Sequence, residues 1–441
     1  MRNTMIARCT VALIGVLAVA AAAENSGGWR GPNRNGIYPA TGLLKKWPEN
    51  GPKLLWKYDR LGVAWSTVTV HEGKVYALGG WRKGYLHCFS LDGKLLWRKA
   101  YGPDREEGRF PGPRSTVEIA DGRAIFATGD AVVYGMNAAT GKVVWSVDTA
   151  KAFGNQVPGH GYNLTPLVYD GKVICPIRRG QCTHAALDVR TGRTVWTNKA
   201  SEYAIGDSSP ILVTVGRRRL VVDNLWWAIV AIDPADGRIV WTHKEGRTGT
   251  MMTPVFNEGR LFIDMGTHKP ALLEPVGGKD VFRKCWQIEE KGLFEIDQAL
   301  ILGDKLFVVY RRSREVTETV EKDGKKRERT RTERYLALEA RDLKTGRLLQ
   351  SEPLREEGAM VAADGMIYLL EGGPTSRYGK PKWVQLSLIR PTKDGFEIVS
   401  RFEPLLGTVE GWIHPCIAEG RLFHRLGNLL AVYDLRAASY K

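Results

Sequence analysis

From about residue 50 onward the chain alternates short apolar runs with polar turns, and one four-run unit keeps returning. A phrase ending in tryptophan closes each unit: KLLW (Trp56), GKLLW (Trp97), GKVVW (Trp145), GRTVW (Trp196), GRIVW (Trp241) and FRKCW (Trp286), then the degenerate GRLLQ (Gln350) and GFEIV (Val399). A second phrase runs in step with it: GKVY (Tyr76), GRAI (Ile125), GKVI (Ile174), RRLV (Val221), GRLF (Phe262), DKLF (Phe307), GMIY (Tyr368) and GRLF (Phe423). Runs such as STVTVHE, TPLVYD and TPVFNE precede the second phrase, and runs such as VVYGMNA, AIVAID and LAVYDL lie between the two. Stretches rich in Val, Ile, Tyr and Phe, split by Asp-Gly, Thr-Gly or Glu-Gly, read as strands joined by tight turns. Four short antiparallel strands recurring about every 45 residues mark the blade of a β-propeller.

Eight copies of each phrase predict an all-β, eight-bladed propeller of four-stranded antiparallel blades, with strands A to D running from the channel outwards. The repeated glycine, as in Gly141, Gly192 and Gly237, supplies a left-handed residue for the C–D turn. The tryptophans Trp56, Trp97, Trp145, Trp196, Trp241 and Trp286 are expected to pack between neighbouring blades, where a large ring excludes water. The last unit stops at NLLAVYDLR without its closing phrase, whereas PKLLWKYD near the start stands alone. Residues 52–59 are therefore expected to add the outer strand of the last blade and close the ring. The domain reading is a signal peptide over 1–23, a leader over 24–51 and one propeller over 52–441.

The signal is read from Arg2 and Arg8, the run VALIGVLAVAAAA, and small residues ending near Ala23. That run is shorter than the roughly 20 residues a membrane-crossing helix needs, and no other stretch is long enough, so a periplasmic or secreted protein without a transmembrane segment is expected. Removing the segment takes Arg2 and Arg8 with it and lowers the formal charge from +16 to +14. A basic exported chain meets anionic envelope polymers before it meets nucleic acid. Five cysteines remain, with Cys175 and Cys182 either bridged across a hairpin or held as two small buried thiols.

The phrases, with A-x-x-x-G-K-x-x-W at their centre, resemble the repeats of pyrroloquinoline-quinone-like (PQQ-like) propellers, a group that holds both quinoprotein alcohol dehydrogenases and the BamB-like outer-membrane assembly proteins. WRGPNRNGIYP, Trp29 to Pro39, resembles the leader of many exported members. The resemblance implies the fold; for activity it implies either a scaffold or an enzyme with PQQ and calcium. In the dehydrogenases it implies a quinone over a tryptophan floor beneath an adjacent cysteine pair, with calcium held by Glu, Asn and Asp. This chain has no adjacent cysteines, and no acid aligns with that calcium set. No zinc, P-loop or nucleophile-elbow motif occurs, and the eight histidines are scattered. No cofactor and no metal site are expected.

A propeller gathers its D–A and B–C loops on one face, where ligands bind. The D–A loops here are expected to present Trp65, Arg114, His160, Asn163, Asp207, Met251, Glu295, Trp412 and His414, a mixture suited to a polymer or peptide. One departure from the repeat, RRSREVTETVEKDGKKRERTRTER over 311–334, separates strands B and C of the sixth blade and reads as a charged hairpin with an Asp-Gly tip. Its cations Lys325, Lys326, Arg327, Arg329 and Arg331 form a basic arm. The reading is a monomeric, exported, non-catalytic propeller that binds a protein partner or an anionic envelope polymer through its loop face. The alternative is a PQQ-dependent alcohol or sugar dehydrogenase.

Overall fold

The structure, a computed structural model, describes residues 25–440 apart from 106–111, 200–203, 245–251, 266–268, 278–280, 291–292, 323–324, 357, 373–382 and 408–412. The signal-peptide reading over 1–23 thus lies outside the described residues. Eight antiparallel four-stranded blades follow in chain order: 69–103, 118–148, 167–197, 211–243, 255–287, 293–354, 358–402, and 416–434 completed by Leu54–Tyr58. Leu54–Tyr58 pairs antiparallel with Leu429–Asp434, Trp56 opposite Val432, so the ring is closed by strand addition from the N-terminal side. The inner A strands of successive blades approach one another around the axis, for example Leu293–Leu302 against Gly358–Ala363.

The repeated turn phrase has a local cause. In blade 3 the Asp188 carboxylate accepts the backbone N–H groups of Arg190 and Thr191, and Gly192 N–H returns to Asp188 O at 2.8 Å. Asn137, Asp233 and Asp342 accept backbone N–H groups in the same way in blades 2, 4 and 6. Such an Asx turn competes well with the strand ladder. Gly192 sits at φ 73°, a region that favours glycine.

That glycine is also a seat. A Cβ on Gly192 would lie 2.7 Å from the Trp145 ring of the preceding blade, and Trp145 Nε1–H donates to Val189 O at 3.1 Å. Trp56, Trp196 and Trp286 repeat the arrangement on Gly93, Gly237 and Gly346, each donating to a carbonyl of the same turn. Trp97 lies on Gly141, and Trp241 meets Phe282 of the next blade edge-on at 5.1 Å. Where the phrase reads GRLLQ, Gln350 lies against Gly395 and accepts Phe396 N–H at 2.8 Å. At the seam of blades 7 and 8 the aromatic comes from the leader: Trp47 is buried against Phe402, 5.1 Å away. At the Trp56, Trp145, Trp196, Trp286 and Gln350 seams an apolar or close-packed face is thus joined to a directed hydrogen bond, which fixes the angle between blades.

Of the two alternatives for Cys175 and Cys182, the structure has the buried free thiols, and burial pushes the Cys182 thiol up to about 11. One detail differs from the sequence reading: Glu295 lies within strand A of blade 6, Leu293–Leu302, rather than in a loop. The cause is the long hairpin: strand B runs through Lys305–Lys322, so residues ahead of the usual A strand find ladder partners, Glu295 opposite Arg311.

Candidate functional site

The leader, expected only as a segment preceding the ring, fills its channel. Ser26 N donates to Val70 O of blade 1 at 2.9 Å. The chain then turns at Gly31 and returns, and Ile37–Tyr38 pairs parallel with strand A of blade 7, Ile37 opposite Ala362. Between these points Arg30 donates to Ala299 O of blade 6 at 2.7 Å, and Asn35 reaches Asn257 of blade 5 at 3.3 Å. Trp29 meets His414 of blade 8 edge-on at 5.8 Å.

Arg34 is the centre of this plug. Its guanidinium donates to Thr165 O (3.1 Å) and Pro166 O of blade 3, and to Pro210 O of blade 4 (2.9 Å). It also pairs with Glu118 of blade 2 at 2.7 Å. Every blade touches the leader, which explains how apolar-poor residues hold a fixed path: their polar groups meet the unpaired inner edges of the A strands. Arg30 and Arg34 both take left-handed backbone, φ 58° and 54°, a strain that the surrounding contacts sustain. Gly36 sits at φ 81°, and a Cβ on it would lie 2.5 Å from the Leu300 side chain and 3.0 Å from the Arg30 guanidinium, so a side chain there would displace both.

On the loop face above the plug, three of the expected residues come together. His160 Nε2 lies 3.2 Å from Asp207 Oδ1, and Arg178 Nη2 lies 3.1 Å from the same oxygen. Burial works against ionising Asp207, but His160 and Arg178 outweigh it and leave the carboxyl below its usual range. Arg105 bridges Asp130 at 3.1 Å and Gly159 O at 2.9 Å. A Cβ on Gly161 would approach both Arg105 and Arg114. Burial, then the nearby Arg105 cation, pull the Arg114 guanidinium down to about 10. The group is an ionic network over blades 2 to 4, roofing the plug.

Arg105, Asp130, Arg178 and the aromatic turn Trp226-Trp227 were missed by the sequence reading. The doubled tryptophan was the available signal: Trp227 is 47% exposed at the B–C turn of blade 4. Trp65 and Asn163 are half-buried on the same face. His414 is not available there. It is 6% exposed, and burial, with the Arg30 cation, drops its imidazole to about 3; the plug has taken it as a packing partner. Met251 and Trp412 lie outside the described residues, as do the side chains of Glu295, Lys325, Lys326 and Arg327.

Ser208, His184 and Asp223 form a buried group that is not a nucleophilic triad. Ser208 Oγ donates to Asp223, not to the imidazole, and His184 Nε2 meets Asp223 at 3.0 Å with neither side chain exposed. It ties blade 3 to blade 4. Among the described residues, no three of His, Cys, Asp or Glu are grouped so as to hold a metal ion.

The hairpin is a direct continuation of strands B and C of blade 6, Lys305–Lys322 and Lys325–Asp342, paired without interruption from Lys305 opposite Asp342 to Lys322 opposite Lys325. Beyond Arg312 it projects ten residues per strand, about 30 Å. Its root is clamped: Arg341 meets Glu290 and Glu339 at 2.8 Å, and Arg312 joins both acids. Hydrogen bonding from Arg341 and then Arg312 brings the Glu290 carboxyl down to about 2 against the pull of partial burial. The register sorts the charges. One row holds Arg312, Arg314, Val316, Glu318, Val320 and Lys322 opposite Tyr335, Glu333, Arg331, Arg329, Arg327 and Lys325, seven basic positions against two acidic. The other row holds Ser313, Glu315, Thr317, Thr319 and Glu321 opposite Arg334, Thr332, Thr330, Glu328 and Lys326, five hydroxyl positions with three acidic and two basic.

Eight four-stranded blades around an axial channel, five of their seams seating a tryptophan on a glycine of the next blade, define the PQQ-like repeat propeller class. The family model described as "Outer membrane protein assembly factor BamB" matches residues 41–202, 82–327 and 183–365, and the chain belongs to that family. The overlap of the matched stretches reflects a repeat that fits in more than one register. Among solved structures, BamB from Moraxella catarrhalis is similar with a TM-score of 0.59 and 16% identity over 87% of this chain and 99% of that one. The quinohemoprotein alcohol dehydrogenase from Comamonas testosteroni is similar with a TM-score of 0.66 and 13% identity, over 95% and 82% respectively. At these identities the likeness is one of fold. A lanthanide-dependent methanol dehydrogenase from Methylorubrum extorquens is 28% identical over 176 residues, 35% of this chain and 27% of that relative. Among the described residues no helix is long and apolar enough to cross a membrane.

Proposed function

We propose that the protein is an exported, non-catalytic propeller that binds an anionic polymer or a protein of the cell envelope through its loop face and hairpin. One observation carries this reading: the leader occupies the channel that a propeller enzyme of this class would use for its cofactor. A planar quinone on the axis would compete for space with Arg34, which is held by three carbonyls and Glu118. The acids nearest the plug are already committed, Glu118 to Arg34 and Asp207 to Arg178 and His160. Neither they nor the cysteines, which are not adjacent, match the calcium and quinone set of the dehydrogenases.

The contact surface is polar and standing. The ionic network of Arg105, Arg114, His160, Arg178 and Asp207, the exposed Trp227 and the basic row of the hairpin offer charge-assisted hydrogen bonds and an aromatic anchor. A partner bearing phosphates or carboxylates fits the basic row; the scaffold role resembles that of the family named for BamB.

The methanol dehydrogenase match favours a second reading, a quinone-dependent oxidoreductase. One experiment separates the two. Purified protein is titrated with PQQ plus calcium or a lanthanide while tryptophan fluorescence and dye-linked alcohol or sugar oxidation are followed, and in parallel with heparin while salt is varied. Heparin binding that weakens steeply with salt, without turnover, supports the proposal; saturable quinone binding with turnover refutes it.

A further inference from the structure

A cleft outside the channel opens at the root of the hairpin, where the seam of blades 6 and 7 reaches the loop face. It encloses about 330 Å³ on the loop face, the small end of the range for ligand sites. Leu338, Leu354, Leu369 and Ile398 form its apolar walls, and Trp383 stands at its rim. Two contacts set the indole: Nε1–H donates to Glu403 Oε1 at 3.2 Å, and the Arg355 guanidinium lies 4.3 Å from the ring centroid.

Glu371 is the unusual member. It is 5% exposed yet lines the cleft, and it accepts only the Arg355 backbone N–H, at 3.2 Å, with no ion pair among the described residues. Burial raises its carboxyl above the ordinary range, with Arg355 and Arg401 only partly opposing. As a cleft-lining acceptor with one protein donor, it keeps capacity for a ligand hydroxyl.

The charges around this acceptor are mixed: Glu352, Glu371 and Glu403 face Arg355 and Arg401. A phosphate would meet three carboxylates, and a metal ion would meet two guanidiniums. The arrangement suits a neutral ligand with one apolar face for the indole and an edge of hydroxyls for the planar carboxylates and guanidiniums. A pyranose ring has that shape. The hairpin extends the match, because Leu338 shares its side of the strand with Thr330 and Thr332, and Thr317 Oγ1 lies 3.1 Å from Thr330 Oγ1. Leu338 packs in one core cluster with Met360 and Leu369 of blade 7. The hydroxyl-bearing row of the hairpin therefore belongs to the side that faces the cleft.

We infer that this cleft is a carbohydrate subsite taking one pyranose unit of a neutral glycan, with Trp383 as platform and Glu371 as the buried hydroxyl acceptor. The inference goes beyond the anionic-polymer reading and rests on the proposed export only for the source of the glycan, not for the binding itself. Full-length mature protein is tested with cello-, malto- and chito-tetraose by saturation-transfer NMR and calorimetry. A Kd on the order of 1 mM is expected for at least one of them. Trp383→Ala should weaken it tenfold or more, and Glu371→Gln, which keeps the shape, should also weaken it; Trp383→Tyr keeps a ring in place if the alanine variant unfolds. Heparin binding to the hairpin is measured on the same variants and should not change. No saturable sugar binding, or sugar binding untouched by Glu371→Gln and by a folded Trp383→Ala, overturns the inference even where heparin still binds; Trp383→Tyr should keep part of the binding. Displacement of the sugar signal only by removing the hairpin row, with the cleft variants silent, overturns it as well. Sugar binding lost with Trp383 while heparin fails to bind sustains the cleft and sinks the polyanion reading instead.

Discussion

Replacing Arg34 by alanine tests whether the leader is part of the ring. Arg34 is paired with Glu118 at 2.7 Å, the two side chains 5% and 15% exposed. Its removal leaves that carboxylate buried with only the Trp29 backbone N–H at 3.4 Å, and leaves the carbonyls of Thr165, Pro166 and Pro210 without their donor. Breaking one side of a buried pair costs about 3–5 kcal/mol. At roughly 2.1 cal/mol/K per residue of unfolding entropy, about 4 kcal/mol lowers the melting temperature of a chain this long by about 5 °C. Urea unfolding of Arg34→Ala, Glu118→Gln and the double variant gives the pairwise term. The double variant should recover at least about 1.5 kcal/mol relative to the sum of the singles. An Arg34→Ala variant within about 1 kcal/mol of wild type, or strict additivity, would show that the channel does not hold its plug and would remove the main support for a non-catalytic ring.

Other consequences follow from single residues. Gly192→Ala should cost about 2–3 kcal/mol, whereas Gly171→Ala, equally left-handed at φ 69° but with nothing within 4 Å of its Cβ, should cost about 1 kcal/mol; equal costs in urea melts would deny the tryptophan seat. Burial drops the His424 imidazole to about 4, its Leu405 backbone contact only partly opposing. A base depressed below its unfolded value of 6.5 contributes stability that is present above that value and lost as pH falls towards 4, at about 1.4 kcal/mol per pH unit. His424→Gln should accordingly gain about 2 kcal/mol on wild type between pH 8 and pH 5, and parallel stability profiles would refute this. Removing 313–334 and joining the stubs by a short turn should leave the melt intact but flatten the salt dependence of heparin binding; an unchanged slope takes the arm out of the contact surface. Deleting 52–59 should prevent normal folding, since it strips the outer strand from blade 8; a native-like melt would mean that the ring closes otherwise.

The ring was legible because its signal is local and repeated. Asp188, Gly192 and Trp196 act within a few residues of one another, and the turn they build needs those residue types wherever it occurs. Closure by Leu54–Tyr58 was legible for a related reason, as a phrase missing from one end and stranded at the other. Arg34 carries no such mark. Its partners lie 84 to 176 residues away in sequence, on strands whose inward edges are indistinguishable from any other strand in a single chain, so WRGPNRNGIYP could be read only by its likeness to other leaders. The same distance explains His414: its place next to a channel mouth was readable, but the Trp29 ring that buries it comes from the far end of the chain.

Glu295 and the hairpin show a different limit. Alternation of Thr, Glu and Val announces a ribbon, and Asp-Gly announces its tip, yet nothing local says that the ribbon grows out of strands B and C without a break. That continuity is set by the ladder from Ser313 opposite Arg334 down to Lys305 opposite Asp342 and by the Arg312, Arg341, Glu290 and Glu339 clamp beneath it. Because a strand's faces alternate strictly, an unbroken ladder also decides which charges share a side. A break or one-residue slip at Arg312 would mix the arginine and threonine rows. The clamp therefore does more than fasten the arm: by fixing the register, it keeps a strongly basic side distinct from one of hydroxyls and mixed charges, and so allows one hairpin to present two chemistries to whatever lies over the ring.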